Sequence, residues 1–261
     1  MQASKELSQG RARLIRRLAD RRGRVREGLV LVEGWRGVAT ARSGGAAVKF
    51  AVLVHDDPTA EERALAEGLL QAGLEVVRAP RTTLGEVSDT ETPQGLLAVV
   101  DEPRPRLPER VEGGVLLLDR VQDPGNVGTL IRSAAAFGLE RVLVLDGTVD
   151  PWSPKVVRAS AGSVFLVPVH RVDLEEALEW LASVRIPLLV ADANGEDVRS
   201  MQVPEPAALL MGNEGAGPRP AALAAADRIV ALPMATGAES LNVAVAGSIL
   251  LWALGPGVRM T

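Results

Sequence analysis

Six short aliphatic runs follow one another through the second half of the chain, and they limit the fold more than any other feature. They are Val115–Leu118, Arg141–Asp146, Val164–Val169, Pro187–Asp192, Ala207–Met211 and Arg228–Leu232, with helical patterns between most of them. Runs this continuous lack a polar face, so they do not suit a sheet with one side in water. Alternating with helices, they predict an α/β fold with a parallel sheet covered on both faces. Ahead of them Asp101–Glu112, DEPRPRLPERVE, holds three prolines and shows no helical or strand period, and reads as a linker. Earlier still come a basic helix, a strand at Val48–Val54, a helix at Pro58–Ala72 and a strand at Leu74–Arg78. A short helix at Arg81–Val87 and a strand at Leu96–Val100 complete that part. The 261 residues therefore divide into a smaller α/β domain over 1–103, a linker over 104–112 and a parallel-sheet domain over 113–261.

Apolar residues make up 47% and charged residues 24% of the chain, which excludes disorder and fibrous repeats. With no cysteine, disulfides, zinc ribbons, thiol nucleophiles and iron–sulfur ligation are excluded too. Only His55 and His170 are present, so a histidine metal site or a serine-hydrolase relay has little to draw on, and no metal is expected. The uncharged window Ser240–Val258 has a continuous small-apolar part only from Val243 to Leu254. At about 1.5 Å per residue that spans roughly 18 Å against a ~30 Å hydrocarbon layer, so a buried helix is expected. The N-terminus carries no apolar signal region, which predicts a soluble, cytoplasmic protein with no membrane partner.

The net charge of −4 hides an uneven distribution. Residues 1–27 hold Lys5 and eight arginines (Arg11, Arg13, Arg16, Arg17, Arg21, Arg22, Arg24 and Arg26) against Glu6, Asp20 and Glu27. That is a net +6, leaving −10 for the rest of the chain. A basic segment on an acidic body suits a phosphate-facing RNA surface, with the eight arginines as candidate contacts. A solvated amphipathic helix with Leu7, Leu14, Ile15 and Leu18 turned inward would also explain it.

Ligands of parallel sheets bind at the carboxyl ends of strands, and three such ends are followed by unusual loops. Asp119–Asn126, DRVQDPGN, leads into a helix over Val127–Phe137; Asn126 suits a helix cap, and Arg132 lies just beside the packed face. Gly212–Pro218 follows Ala207–Met211, and its glycines would let backbone approach a ligand closely. Leu232–Asn242 opens the last helix, with Ser240 as a natural N-cap and Asn242 polar before a very apolar stretch.

Together DRVQDPGNVGTLIRSAAAFGL (119–139), LLMGNEGAGP (209–218) and LPMATGAESLNVAVAGSILL (232–251) resemble, in order and spacing, the three motifs of a known family. It is the SpoU (TrmH) family of RNA ribose 2′-O-methyltransferases, of the SPOUT class. The Arg-rich start and LVLVEGWRGVATA (29–41), with Gly34-Trp35-Arg36 its distinctive piece, resemble the ribosomal-protein-like substrate-recognition domain of many members. The resemblance implies a trefoil-knotted parallel-sheet methyltransferase domain after a smaller α/β RNA-binding domain. It also implies a homodimer, S-adenosylmethionine as cofactor and RNA as partner. By position, Gly212, Leu232 and Leu241 would be backbone contacts to the cofactor, and Asn213, Glu214, Met234, Ser240 and Asn242 would shape its pocket. Asn126 and Arg132 would be catalytic at the subunit interface.

The resemblance implies Arg132 as a general base, but a guanidinium stays protonated, so the preferred expectation is that Arg132 binds a phosphate beside the target ribose and stabilises charge on its oxygen; the sequence leaves both roles open. Asn126 would orient Arg132 or the ribose. The extra first domain favours ribosomal RNA, 23S above all. A transfer-RNA ribose methyltransferase, a non-catalytic RNA-binding or ribosome-assembly protein and a nucleotide-dependent α/β enzyme are the alternatives.

Overall fold

A computed structural model describes residues 5–87, 94–202, 205–235 and 240–255. In chain order its first elements are α1 (Gln9–Ala19), α2 (Arg21–Glu27), β1 (Leu29–Glu33), α3 (Trp35–Ser43), β2 (Val48–Val54), α4 (Ala60–Gln71), β3 (Val76–Ala79), α5 (Arg81–Val87) and β4 (Leu96–Asp101). There follow β5 (Val115–Leu118), α6 (Pro124–Ala136), β6 (Arg141–Leu145), α7 (Pro154–Ala159) and a 3-10 turn at Ser163–Phe165. The last are β7 (Val169–Val172), α8 (Leu174–Val184), β8 (Leu188–Asp197), β9 (Ala208–Met211), α9 (Pro220–Ala225), β10 (Arg228–Ala231) and α10 (Val243–Ala253). Two compact units result: Met1–Pro103 with Trp152–Leu166, and Arg104–Pro151 with Val167–Thr261.

The first unit holds a sheet in the order β1-β4-β2-β3, with β4 antiparallel to β1 and β2, and β3 parallel to β2. Ser8 caps α1 by accepting from the Arg11 amide at 3.4 Å, and Ala12, Ile15 and Leu18 turn its apolar face onto Leu31, Val52 and Val99. A reciprocal Thr59–Glu62 capping box starts α4. The Glu62 carboxylate also accepts from the Gly95 amide at 2.7 Å, which ties that helix to the start of β4.

The run Val164–Val169 is not one strand. Val164 and Phe165 lie buried in the 3-10 turn, and β7 begins only after Pro168, which has no amide to give a sheet ladder. Residues 152–166 belong to the first unit: Trp152 packs on Phe165 within the segment (ring centroids 5.6 Å apart), while Arg158 pairs with Glu33 at 3.1 Å and the Phe165 carbonyl lies 2.2 Å from where a Cβ on Gly44 would stand. The expected 113–261 domain thus lacks this segment.

The second unit is a six-stranded sheet ordered β10-β8-β9-β5-β6-β7, parallel at every pairing, as the aliphatic runs predict. Residues 104–112 form a strap on it. Pro108 carbonyl accepts from Trp180 Nε1 at 2.9 Å, and Glu140 Oε2 accepts from the Glu112 and Gly113 amides at 2.7 and 2.9 Å. Helices α6 and α10 pack so closely that a Cβ on Gly247 would sit 2.4 Å from Leu130 Cδ2. Ser133 and Ser248 hydroxyls join across that contact at 2.7 Å. Among the described residues no helix is long and apolar enough to cross a membrane.

Candidate active site

The loops that follow β5, β9 and β10 meet at the carboxyl end of this sheet. Asp123, not Asn126, caps α6: its Oδ1 accepts from the Asn126 amide at 2.8 Å, with Pro124 in the first turn. Both residue types cap well, but a proline in first position fixes the cap one place ahead of it. The Asn126 side chain is therefore left for the other two loops. Its Nδ2 donates to Glu214 Oε1 at 3.0 Å, and its Oδ1 accepts from Asn242 Nδ2 at 2.9 Å. One asparagine thus joins all three sequence motifs.

Glu214 also accepts from the Gln122 and Asp123 amides at 3.2 and 3.1 Å. Burial pushes its carboxyl up, but the hydrogen bonds from Asn126 and the loop amides together outweigh this and hold it below its ordinary value. Asn242, rather than Ser240, caps α10, its Oδ1 accepting from the amides of Ala244 at 2.9 Å and Val245 at 3.2 Å. The reason is position, because Asn242 directly precedes the helix and Ser240 stands two residues too early.

In the loop after β9, Asn213 Oδ1 accepts from the Gly215 and Ala216 amides at 3.0 and 2.9 Å while its Nδ2 donates to the Arg120 carbonyl at 2.8 Å. Gly212 is needed for a reason other than ligand approach. A Cβ there would lie 2.3 Å from the Pro218 nitrogen and 2.5 Å from the Gly217 carbonyl carbon, so the turn closes on its own backbone.

Beneath this turn the wholly buried Asp119 accepts from the Arg219 amide at 2.8 Å and from its Nε at 2.6 Å. Arg219 reaches on to Asp146 at 3.0 Å, and that hydrogen bonding holds the Asp146 carboxyl below its usual range. The Asp119–Arg219–Asp146 chain pins the end of the Gly212–Pro218 loop, where α9 begins, to the ends of β5 and β6. Sequence reasoning missed Arg219 and Asp146, which no local spacing connects.

Beside these loops lies a cavity of about 160 Å³ between Met211, Val230, Leu232, Met234, Ser240, Leu241, Leu250 and the Ala191–Ala193 stretch of β8, just past its last pairing with β9 at Val190. The structure brings the expected Leu232, Met234, Ser240 and Leu241 together there. Gly212, Asn213, Glu214 and Asn242 hold the framing loops instead of lining it. Residues 236–239 of the third motif lie outside the described residues. A larger hollow of about 520 Å³ is lined by Leu178, Arg185, Pro187 and Asp227 at the amino ends of β8 and β10. Ligands of parallel sheets sit at the carboxyl ends, where the polar loops also converge, so the smaller cavity is the candidate.

Arg132 stands exposed on α6 and, among the described residues, makes no hydrogen bond or ion pair. Six positions place it about 9 Å along the helix from Asn126, so the chain does not bring these two together.

Several of the basic-segment arginines are held within the first unit. Arg11 grips Glu75 through two bonds of 3.0 and 2.6 Å and lies over Phe50 at 4.7 Å. Arg16 reaches Glu86 at 3.4 Å, Arg17 and Arg26 share Glu27 at 3.1 and 2.8 Å, and Arg13 contacts Gln9 at 3.4 Å. Arg24 is buried and donates to the carbonyls of Leu18 and Ala19 at 2.8 and 2.9 Å, closing the end of α1, so it cannot face a phosphate. Arg21 and Arg22 are exposed and, among the described residues, unpaired.

Comparison with known proteins agrees with this geometry. Residues 114–252 match the SpoU rRNA Methylase family, and residues 10–98 match an MRM3-like substrate binding domain. The chain is 36% identical over 240 residues (92% of this chain, 93% of the relative) to a Bacillus subtilis 23S rRNA (guanosine(2553)-2′-O)-methyltransferase, RlmP. It is 34% identical over 246 residues (90% of this chain, 85% of the relative) to a Streptomyces viridochromogenes 23S rRNA (uridine(2479)-2′-O)-methyltransferase. The crystal structure of the SpoU methyltransferase AviRb from Streptomyces viridochromogenes, in complex with AdoMet, superposes with a TM-score of 0.85 at 32% identity, covering 95% of this chain and 97% of that one. With three loops of the expected motifs joined through Asn126 and a family match across the whole parallel sheet, the chain belongs to the SpoU rRNA methylase family.

Proposed function

We propose that this protein methylates a ribose 2′-hydroxyl of 23S ribosomal RNA, using S-adenosylmethionine and working as a homodimer in the cytoplasm. The observation that carries the reading is the Asn126–Glu214–Asn242 junction beside a cavity at the carboxyl ends of β9 and β10 and the Ala191–Ala193 stretch of β8. The cavity suits the cofactor: apolar walls for a purine, with a carboxylate and a hydroxyl at Asp192 and Ser240 for its polar parts. When bound, the cofactor supplies a methyl group already activated by its sulfonium. The chain's own residues must then place the ribose and stabilise the oxygen as its proton leaves. Leu232, Met234, Ser240 and Leu241 would hold the cofactor, while Glu214, Asn126 and Asn242 fix the loops around it. The threading of this part of the chain into a trefoil knot belongs to the same reading.

Val245, Ile249 and Trp252 form an exposed apolar stripe along α10, continued by Leu241 just ahead of it, with Trp252 71% exposed. Such a stripe on a helix that also borders the cavity favours a subunit interface there. Across it, the unpaired Arg132 of one subunit would serve the cavity of the other, binding the phosphate next to the target ribose. In the first unit Arg21 and Arg22, flanked by Arg13, Arg16, Arg17 and Arg26, would meet the RNA backbone. Relatives of nearly equal identity act on a guanosine and on a uridine.

The test is transfer of labelled methyl from S-adenosylmethionine to purified 23S rRNA, 16S rRNA and transfer RNA, with the product mapped as 2′-O-methyl ribose. A single 23S site is expected. Label on transfer RNA alone would overturn the substrate, and cofactor binding without transfer to any RNA would overturn the activity.

A further inference from the structure

One charged side chain lines the cavity without belonging to any of the three motifs. Asp192 stands where the buried aliphatic part of β8 ends, across from Leu232 and Ser240. Its two oxygens are treated differently by the fold. Oδ1 accepts from the Asn194 amide at 2.9 Å and from Asn194 Nδ2 at 3.0 Å, which fixes the carboxylate's orientation. Oδ2 makes no hydrogen bond among the described residues and lies toward the Gly212–Pro218 turn, 4.0 Å from where a Cβ on Gly217 would stand. One oxygen is anchored, and the other is left without a donor on a residue that lines the cavity.

A carboxylate oxygen covered by a ligand without receiving a donor is costly. Whatever fills this cavity must therefore bring a donor to Oδ2. In an adenosyl group the apolar slot suits the purine, and the donors next to it are the ribose hydroxyls. An acid that accepts from a ribose hydroxyl is a general solution in nucleotide-binding parallel sheets, and Asp192 stands just past the last residue of β8 that pairs with β9. We infer that Asp192 is a cofactor-binding residue whose Oδ2 accepts from the ribose hydroxyls of the adenosyl group. The inference rests on the reading of this cavity as the S-adenosylmethionine site.

The test is calorimetry with three probes: S-adenosylmethionine, S-adenosylhomocysteine and 5′-methylthioadenosine. Asp192→Asn keeps an oxygen for Asn194 and replaces the offered acceptor with a donor, so the unligated melting temperature should be unchanged. All three probes should bind about tenfold to a hundredfold more weakly, the scale of a lost hydrogen bond to a charged group. Loss confined to S-adenosylmethionine would overturn the assignment in favour of the sulfonium. Loss for the first two probes but not 5′-methylthioadenosine would overturn it in favour of the amino-acid ammonium, and equal binding of all three would remove Asp192 from the site. Wild-type protein that binds none of the probes would instead refute the cavity assignment itself.

Discussion

At the carboxyl end of the second unit's sheet, polar side chains from three distant loops satisfy one another: Asn126 with Glu214 and Asn242, Asp119 with Arg219. In the first unit the polar surface of α1 and α2 is organised by separate ion pairs with acids, Arg11 with Glu75, Arg16 with Glu86, Arg17 and Arg26 with Glu27. The loop network has a fixed shape with few side chains left over. The arginine surface is mostly a set of exposed ion pairs, each contributing little and easily exchanged for a phosphate. Cofactor chemistry needs the first kind of region and sequence-independent RNA attraction the second. In both regions the residues to watch are the cations that remain unpaired: Arg132 in one, Arg21 and Arg22 in the other.

The largest effect is expected at Arg132. Arg132→Ala should lower single-turnover methyl transfer by roughly 10²–10³, as for loss of one preorganised electrostatic group. Stability should move by no more than ~0.5 kcal/mol, because the side chain is exposed and unpaired. Arg132→Lys should recover only part of the rate, since a point charge lacks the bidentate fork. Equal rates for Arg132→Ala and wild type would break the parallel between the two regions.

The amino end of the same sheet gives the next effect, and it should be one of stability alone. His170 is buried against Arg141, whose Nη1 lies 3.3 Å from its Nε2. Burial, and then the Arg141 charge, push its pKa down to about 4, against a hydrogen bond to Pro105 that acts the other way. Glu140, bonded to Arg141 and to the strap amides, is the acid of this cluster. Between pH 6.5 and 4 the unfolded chain binds a proton at His170 that the folded chain does not. Stability is therefore full above pH 6.5 and falls as pH drops toward 4, by up to about 3 kcal/mol. Denaturation midpoints across this range should show the slope in wild type and lose it in His170→Gln. The carboxylates held low (Glu140, Asp146 and Glu214) should still produce a further loss at lower pH.

How far these regions were legible in the sequence depends on the range of the interactions that make them. The six-stranded parallel sheet was legible because burial on both faces writes itself into each strand separately; only Val164–Val169 misled, its apolar residues packing with the first unit instead. Strand ends and motif resemblance locate the loops, but sequence places the caps two or three residues from where they stand. Asp123 and Asn126, or Ser240 and Asn242, are chemically equivalent caps until the backbone chooses. Arg219 was out of reach because Asp119, Asp146 and Arg219 are far apart in the chain and meet only at the ends of β5 and β6. The buried Arg24 failed for the same reason in miniature: a sequence shows its charge but not that Leu18 and Ala19 carbonyls surround it.

That last contrast supplies the smallest expected effect, inside the first unit itself. Arg21, Arg22 and Arg24 lie within four residues of one another, so composition treats them alike. The fold does not. Arg21→Ala with Arg22→Ala removes two exposed, unpaired cations and should leave the melting temperature unchanged. RNA affinity should fall, and the log–log salt slope should flatten by about 0.7–0.9 for each phosphate that is no longer neutralised. Arg24→Ala removes a buried guanidinium that closes α1 and leaves two carbonyls without a donor. It should cost about 1–3 kcal/mol of stability and leave the salt slope where it was. Binding of a 23S fragment measured across a range of salt, beside melting curves of the same three proteins, separates the effects. A slope that flattens in Arg24→Ala as much as in the double variant would show that the segment acts by total charge, and that its paired and buried arginines are as open to RNA as its free ones.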